Sequence, residues 1–126
     1  MTELRILLIE DNADDAELIA LELEDAGLPH ELHRVELRHE LDAALQRTDW
    51  SLVLCDSRLP GYTGAEAFTW VRERMPSVPF LFCTGGTLDE DPALESAIEL
   101  AHGWVSKDRL AQLPSTLRAV LVTAAP

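Results

Sequence analysis

Short oily runs recur along this chain. Each is stopped by a polar residue and followed by a stretch with helical spacing. Leu4–Ile9 runs into Glu10-Asp11, Ser51–Cys55 into Asp56, Phe80–Cys83 into Thr84, and Trp104–Ser106 into Lys107. Runs of three to six mostly apolar residues bounded by breakers read as strands of a buried sheet. A weaker strand spans residues 31–37, where Leu32, Arg34/Val35 and Leu37 suggest a position nearer the sheet edge. Helices are predicted over 14–26, 38–47, 65–74, 93–101 and about 114–123. In the first, Ala16, Ile19, Ala20 and Leu23 share one face, Asn12 or Asp14 can cap the start, and Gly27 ends it. In the second and third, Leu41, Ala44, Leu45, Phe68 and Val71 point inward. Pro92 suits a first helical turn. A short turn at Arg109–Leu113 precedes the last helix.

Five strands alternating with five helices argue for one parallel sheet covered on both faces, an α/β doubly wound architecture. Right-handed crossovers leave few topologies. At 126 residues the chain reads as a single domain over 1–126, able to bury roughly two thirds of its unfolded surface. No internal boundary, repeat or low-complexity segment interrupts it.

Parallel strands bring their carboxyl ends to one edge, so Glu10, Asp11, Asp56 and Lys107 are expected together there. Three carboxylates at close range repel by roughly 4 kcal/mol per pair at about 4 Å and an effective dielectric near 20. Keeping all three ionised calls for a cation. Oxygen-only ligands suit Mg²⁺. Asp11 and Asp56 are assigned as direct ligands, and Glu10 as direct or through water. A carboxylate can also be a nucleophile toward phosphorus, and Asp56 is the candidate, with Lys107 neutralising charge on the transferring group. The simpler role for Glu10-Asp11 is to cap the first helix and oppose its dipole. Asp56, after a four-residue apolar run, fits a capping role less well.

These residues, in this order, resemble the receiver domain of bacterial two-component response regulators. The acid pair after the first strand matches, as do Asp56 at the phosphoacceptor position, Leu59-Pro60 with Gly64 in the turn that follows, Thr84 and Lys107. Trp104, three residues before Lys107, stands where the family carries an aromatic switch residue. The match runs from Leu4 to about Val122. The resemblance implies a flavodoxin-like sheet of order 2-1-3-4-5, the order used for this family in general accounts of doubly wound folds. It implies Mg²⁺ as cofactor and the main-chain carbonyl of Arg58 as a further ligand. It also implies a histidine kinase or phosphotransfer protein as phosphoryl donor, and a downstream protein partner. Phosphorylation of Asp56 would draw in Thr84, turn Trp104 from exposed to buried, and change the face formed by the fourth helix, fifth strand and fifth helix. The domain is expected to be a phosphoacceptor in a phosphorelay rather than an enzyme acting on external substrates. A receiver fold that no longer takes phosphate, acting as an interaction module, is the alternative.

Three departures from the family pattern stand out. Asp108 follows Lys107 where many receivers have proline; the run Lys107-Asp-Arg-Leu110 resembles a subgroup often attached to sensor kinases. The Gly-Gly-Thr sequence after Thr84 leaves Thr87 as an alternative switch hydroxyl. Arg58, two residues after Asp56, is placed to influence water access. It also stands where an aspartyl-phosphate phosphatase would want an acid. The acidic loop Glu10–Asp15 disfavours a flavin site, since it would repel a phosphate without a metal.

Net charge is −13 with no basic stripe, which argues against direct nucleic-acid or anionic-membrane binding. No apolar run approaches the roughly 20 residues of a membrane helix, and the N-terminus leads straight into a strand, so a cytoplasmic location without a signal peptide is expected. No effector domain is expected from the residues up to Pro126; a stand-alone shuttle and a receiver cut from a longer protein both fit, and self-association through the fifth helix is left open. Cys55 and Cys83 are expected as buried thiols on neighbouring strands, close enough that a redox pair is the alternative. The four histidines make no metal pattern.

Overall fold

The computed structural model describes residues 3–85 and 91–124. Five strands form the main sheet: β1 (Leu4–Ile9), β2 (His30–Val35), β3 (Leu52–Cys55), β6 (Phe80–Thr84) and β7 (Gly103–Ser106). All neighbours are parallel, in the order β2-β1-β3-β6-β7, the expected 2-1-3-4-5. Four helices connect them, α1 (Ala13–Asp25), α2 (Arg38–Ala44), α3 (Gly64–Arg74) and α4 (Pro92–Leu100), and α5 (Leu113–Ala124) follows the last strand. No helix among the described residues is long and apolar enough to cross a membrane.

The period-two geometry of the strands divides the core in two. Leu7, Ile9, Val53, Phe80 and Phe82 face α2, α3 and α4, meeting Leu41, Phe68, Val71 and Leu94. Ile6, Leu8, Leu52, Leu54 and Leu81 face α1 and α5, meeting Ile19, Leu23, Leu113 and Leu117. Each such side chain stabilises the fold by roughly 1.5–3 kcal/mol relative to exposure. On the first face Phe68 and Phe80 pack edge to face, with centroids 5.0 Å apart.

Helix ends follow local chemistry. Asn12 caps α1 by accepting from the Asp15 N–H at 3.0 Å, and Gly27 closes the helix at φ +71°. Thr63 and Glu66 form a capping box at α3, and Asp91 caps α4 just before Pro92. At the entry to β7, His102 holds Phe80 twice: its own N–H donates to the Phe80 carbonyl at 2.9 Å, and its Nδ1 accepts from the Phe80 N–H at 3.1 Å.

Three expectations need correction. Leu37 does not continue β2; it caps α2 and is exposed, because the strand ends at Val35. The loop after Asp56 contains a small antiparallel ribbon, β4 (Arg58–Leu59) with β5 (Tyr62–Thr63). Two-residue strands are too short to show a period; only Pro60-Gly61 signalled the turn, with Gly61 at φ +83°. Finally, Cys55 and Cys83 lie on adjacent strands but in opposite cores, since Cys55 pairs in register with Phe82. Both are free thiols. Burial pushes the Cys83 thiol up to about 12 and Cys55 well above its ordinary value, so neither ionises at neutral pH.

Candidate functional site

Among the described residues, the buried polar or charged side chains are Glu10, Asp56, Ser57 and Thr84. All four lie at the carboxyl ends of β1, β3 and β6. Burying such groups is costly unless they are paired, so their collection at one sheet edge marks the site. The backbone aligns them. The Asp56 N–H donates to the Ile9 carbonyl at 2.9 Å, and the Glu10 N–H to the Val35 carbonyl at 3.0 Å.

Asp56 is 8% exposed, and its Oδ1 accepts from the Ser57 N–H at 2.7 Å. Lys107 begins the 3₁₀ turn that follows β7 (Lys107–Gln112). Its Nζ lies 3.2 Å from Asp56 Oδ2, 2.8 Å from Glu10 Oε1 and 2.8 Å from Asp15 Oδ2. Directly after this lysine, Ser106 Oγ accepts from the Asp108 N–H at 3.1 Å at the start of the turn. Burial opposes the Lys107 charge, but the hydrogen bonds the ammonium donates to Asp15 and Glu10 and the field of Asp56 outweigh it and raise its pKa. Glu10 is 1% exposed. Burial first, then the Asp56 charge, push its pKa up to about 7 against the pull of Lys107. Its Oε1 meets the Lys107 ammonium at 2.8 Å.

Carboxylate oxygens of Glu10, Asp11 and Asp56 come within 4.8 Å of one another. A hard divalent cation fits this donor set: all three donors are carboxylate oxygens, and Asp11 is open to solvent. Arg58, whose carbonyl was the fourth expected ligand, sits in β4 two residues beyond Asp56 with an exposed side chain. The Gly64 N–H donates to the Ser57 carbonyl at 2.9 Å, pinning the start of α3 against the Asp56–Ser57 main chain.

Thr84 is 1% exposed; its Oγ1 is 2.6 Å from Ser57 Oγ and donates to the Gly85 carbonyl at 3.2 Å. The two hydroxyls thus share a short hydrogen bond beneath the site. Trp104 is 41% exposed on β7, and Thr87 lies outside the described residues. Ser57 and Asp15 were not read as site residues from the sequence. Asp15 stands four residues after Asp11, one helical turn on. Ser57 directly follows Asp56, but an isolated serine beside a turn carries no signal of its own. Ser57→Ala should lower stability by about 1 kcal/mol, the usual loss for one buried hydroxyl bond. The check is the urea midpoint, with an unchanged denaturant slope.

Residues 6–123 match the family model described as the response regulator receiver domain. The chain belongs to the response regulator receiver family. Over 122 residues this receiver is 31% identical to the transcriptional regulatory protein YkoG of Bacillus subtilis, covering 92% of this chain and 50% of that protein. It is 44% identical over 52 residues to the hydrogenase transcriptional regulatory protein HoxA of Cupriavidus necator, covering 41% of this chain and 11% of that one. The chain therefore spans half or less of the curated relatives it matches. The fold is shared with the receiver domain of sensor histidine kinase PA1611 from Pseudomonas aeruginosa, solved with magnesium in its active-site cleft. That comparison has a TM-score of 0.79 and 24% identity, covering 96% of this chain and 99% of that one. It is shared also with the chemotaxis response regulator CheY4 of Vibrio cholerae, with a TM-score of 0.74 and 24% identity, covering 94% and 99%.

Proposed function

We propose that this receiver takes up a phosphoryl group on Asp56 and acts as a phosphoacceptor signalling domain, not as an enzyme with an external substrate. The observation that carries this is the convergence of the buried Asp56 carboxylate with Lys107 Nζ at 3.2 Å and with the oxygens of Glu10 and Asp11. An Asp56 carboxylate oxygen attacks phosphorus, and the bond from phosphorus to the donor atom breaks. The donor leaves with that electron pair, leaving an acyl phosphate. Lys107 places a positive charge beside the reacting oxygen, and the Ser57 N–H holds the carboxylate's orientation. Glu10, Asp11, Asp56 and the Arg58 carbonyl are the groups that would hold Mg²⁺, which when bound supplies charge against the phosphoryl oxygens. The magnesium in the Pseudomonas aeruginosa receiver supports this assignment.

The donor would be a histidine kinase or phosphotransfer protein. The Thr84 hydroxyl would leave Ser57 for a phosphoryl oxygen, Trp104 would turn inward, and the α4–β7–α5 face would change its downstream partner. Intact mass after incubation with Mg²⁺ and acetyl phosphate tests the reading. Wild type should gain one phosphoryl group, lost with chelator, and Asp56→Ala should gain none. No gain in wild type would favour an interaction module in a receiver fold.

A further inference from the structure

Lys107 is the only lysine in the chain, and it faces three carboxylates. A lysine ammonium can serve three carboxylates at once, and the balance of their pulls sets where it rests. Asp56 is the most distant of the three, at 3.2 Å. Asp15 lies nearer, at 2.8 Å in a hydrogen bond between residues 92 positions apart in sequence. Its place is set from below: Asn12, the α1 cap, accepts from the Asp15 N–H. An acid in a first helical turn is ordinarily accounted for by the helix dipole. Asp14, its exposed neighbour in the same turn, serves that role and makes no contact with Lys107.

We propose that Asp15 is a positioning residue for phosphoryl transfer. It holds the Lys107 ammonium toward α1 in the resting domain, and so limits how much of that charge Asp56 receives. The inference rests on the phosphoacceptor reading for its rate consequence, but not for the contact itself. In transfer from acetyl phosphate, an Asp56 oxygen bonds to phosphorus as acetate leaves with the electrons of the broken P–O bond. The step gains from an ammonium free to follow the charge that gathers on the phosphoryl oxygens. Removing the competing carboxylate releases Lys107 for that motion.

The test compares wild type, Asp15→Asn and Asp14→Asn, with Asp56→Ala as the blank. Lysine labelled with ¹⁵N gives one side-chain ammonium signal with no background, because Lys107 is the single lysine. It is recorded in chelator, without metal or phosphodonor. The expected result is a shifted or exchange-broadened signal in Asp15→Asn and a wild-type signal in Asp14→Asn. With Mg²⁺ and acetyl phosphate, initial phosphoryl uptake by Asp15→Asn should rise about fivefold, the scale of one hydrogen-bond competitor removed. An unchanged ammonium signal in Asp15→Asn overturns the proposal, and so does equal uptake by Asp15→Asn and wild type. A helix-dipole role alone would make Asp14→Asn and Asp15→Asn behave alike, which also overturns it. If wild type takes up no phosphoryl group, the phosphoacceptor reading and the rate role proposed for Asp15 fail together. The ammonium signal then separates a surviving contact from an absent one.

Discussion

Gly64→Ala should destabilise the domain by about 1–3 kcal/mol and cut phosphoryl uptake at least tenfold, as expected when atoms are forced into a packed site. A Cβ at this position would overlap the Asp56 carbonyl oxygen and lie 2.9 Å from Ser57 Cα. Both obstacles are main chain, so no side-chain rotation relieves them. Relief must come from moving α3 away or from shifting the Asp56–Ser57 peptide, which breaks the Gly64 N–H bond to the Ser57 carbonyl. The reacting carboxylate is carried on that peptide, so stability and uptake should fall together. Gly61 gives the internal comparison. Nothing lies near a Cβ there, but φ is +83°. Gly61→Ala should therefore lose about 1 kcal/mol through backbone strain while leaving Asp56 in place. Urea denaturation and intact-mass uptake measure both variants. A wild-type midpoint for Gly64→Ala would show that the α3 start yields easily and would sink the steric argument.

Lys107→Met should lower stability in chelator by about 3 kcal/mol, the scale for removing one partner of a buried ion pair. It leaves Glu10 and Asp56 with no ammonium between them, while Glu10 is 1% exposed. Two further results should accompany the loss. Adding Glu10→Gln to Lys107→Met should recover much of it, since the uncompensated charge is then gone. Adding Mg²⁺ should stabilise the variant more than wild type, because a bound cation replaces the missing charge. The pH dependence has a defined sign. Glu10 is raised from 4.5 to about 7 in the folded state, so its contribution to stability is fully present below about 4.5 and lost as pH rises through about 7. The deficit of Lys107→Met should accordingly shrink as the pH is lowered from 8 to about 5. Equal stability of wild type and Lys107→Met at pH 8 in chelator would mean that water already neutralises the cluster.

Much of the fold was legible because its signals are local. Leu52–Cys55 and Phe80–Cys83 are apolar at consecutive positions, and only a strand covered on both faces buries such a run. The Asn12 cap and the glycine after α1 bounded a helix within a residue or two. Strand ends were equally readable, and since parallel strands end at one edge, Glu10, Asp11, Asp56 and Lys107 could be placed together before any contact was known, with Thr84 added by the family resemblance. Ribbon β4–β5 escaped because four paired residues carry no period.

The amino-acid sequence thus determined by itself the alternation of elements, the two-faced sheet and the chemistry gathered at its carboxyl edge. These depend on side-chain spacing within single segments. Only the tertiary structure decided that Asp15 joins Glu10 and Asp56 around Lys107, that the Thr84 hydroxyl rests on Ser57, and that Cys55 and Cys83 face opposite cores. Each of those depends on strand register and on where a helix docks. The packing of distant segments sets both, so the partners, 92 positions apart for Asp15 and Lys107 and 27 for Ser57 and Thr84, leave no mark on the sequence between them.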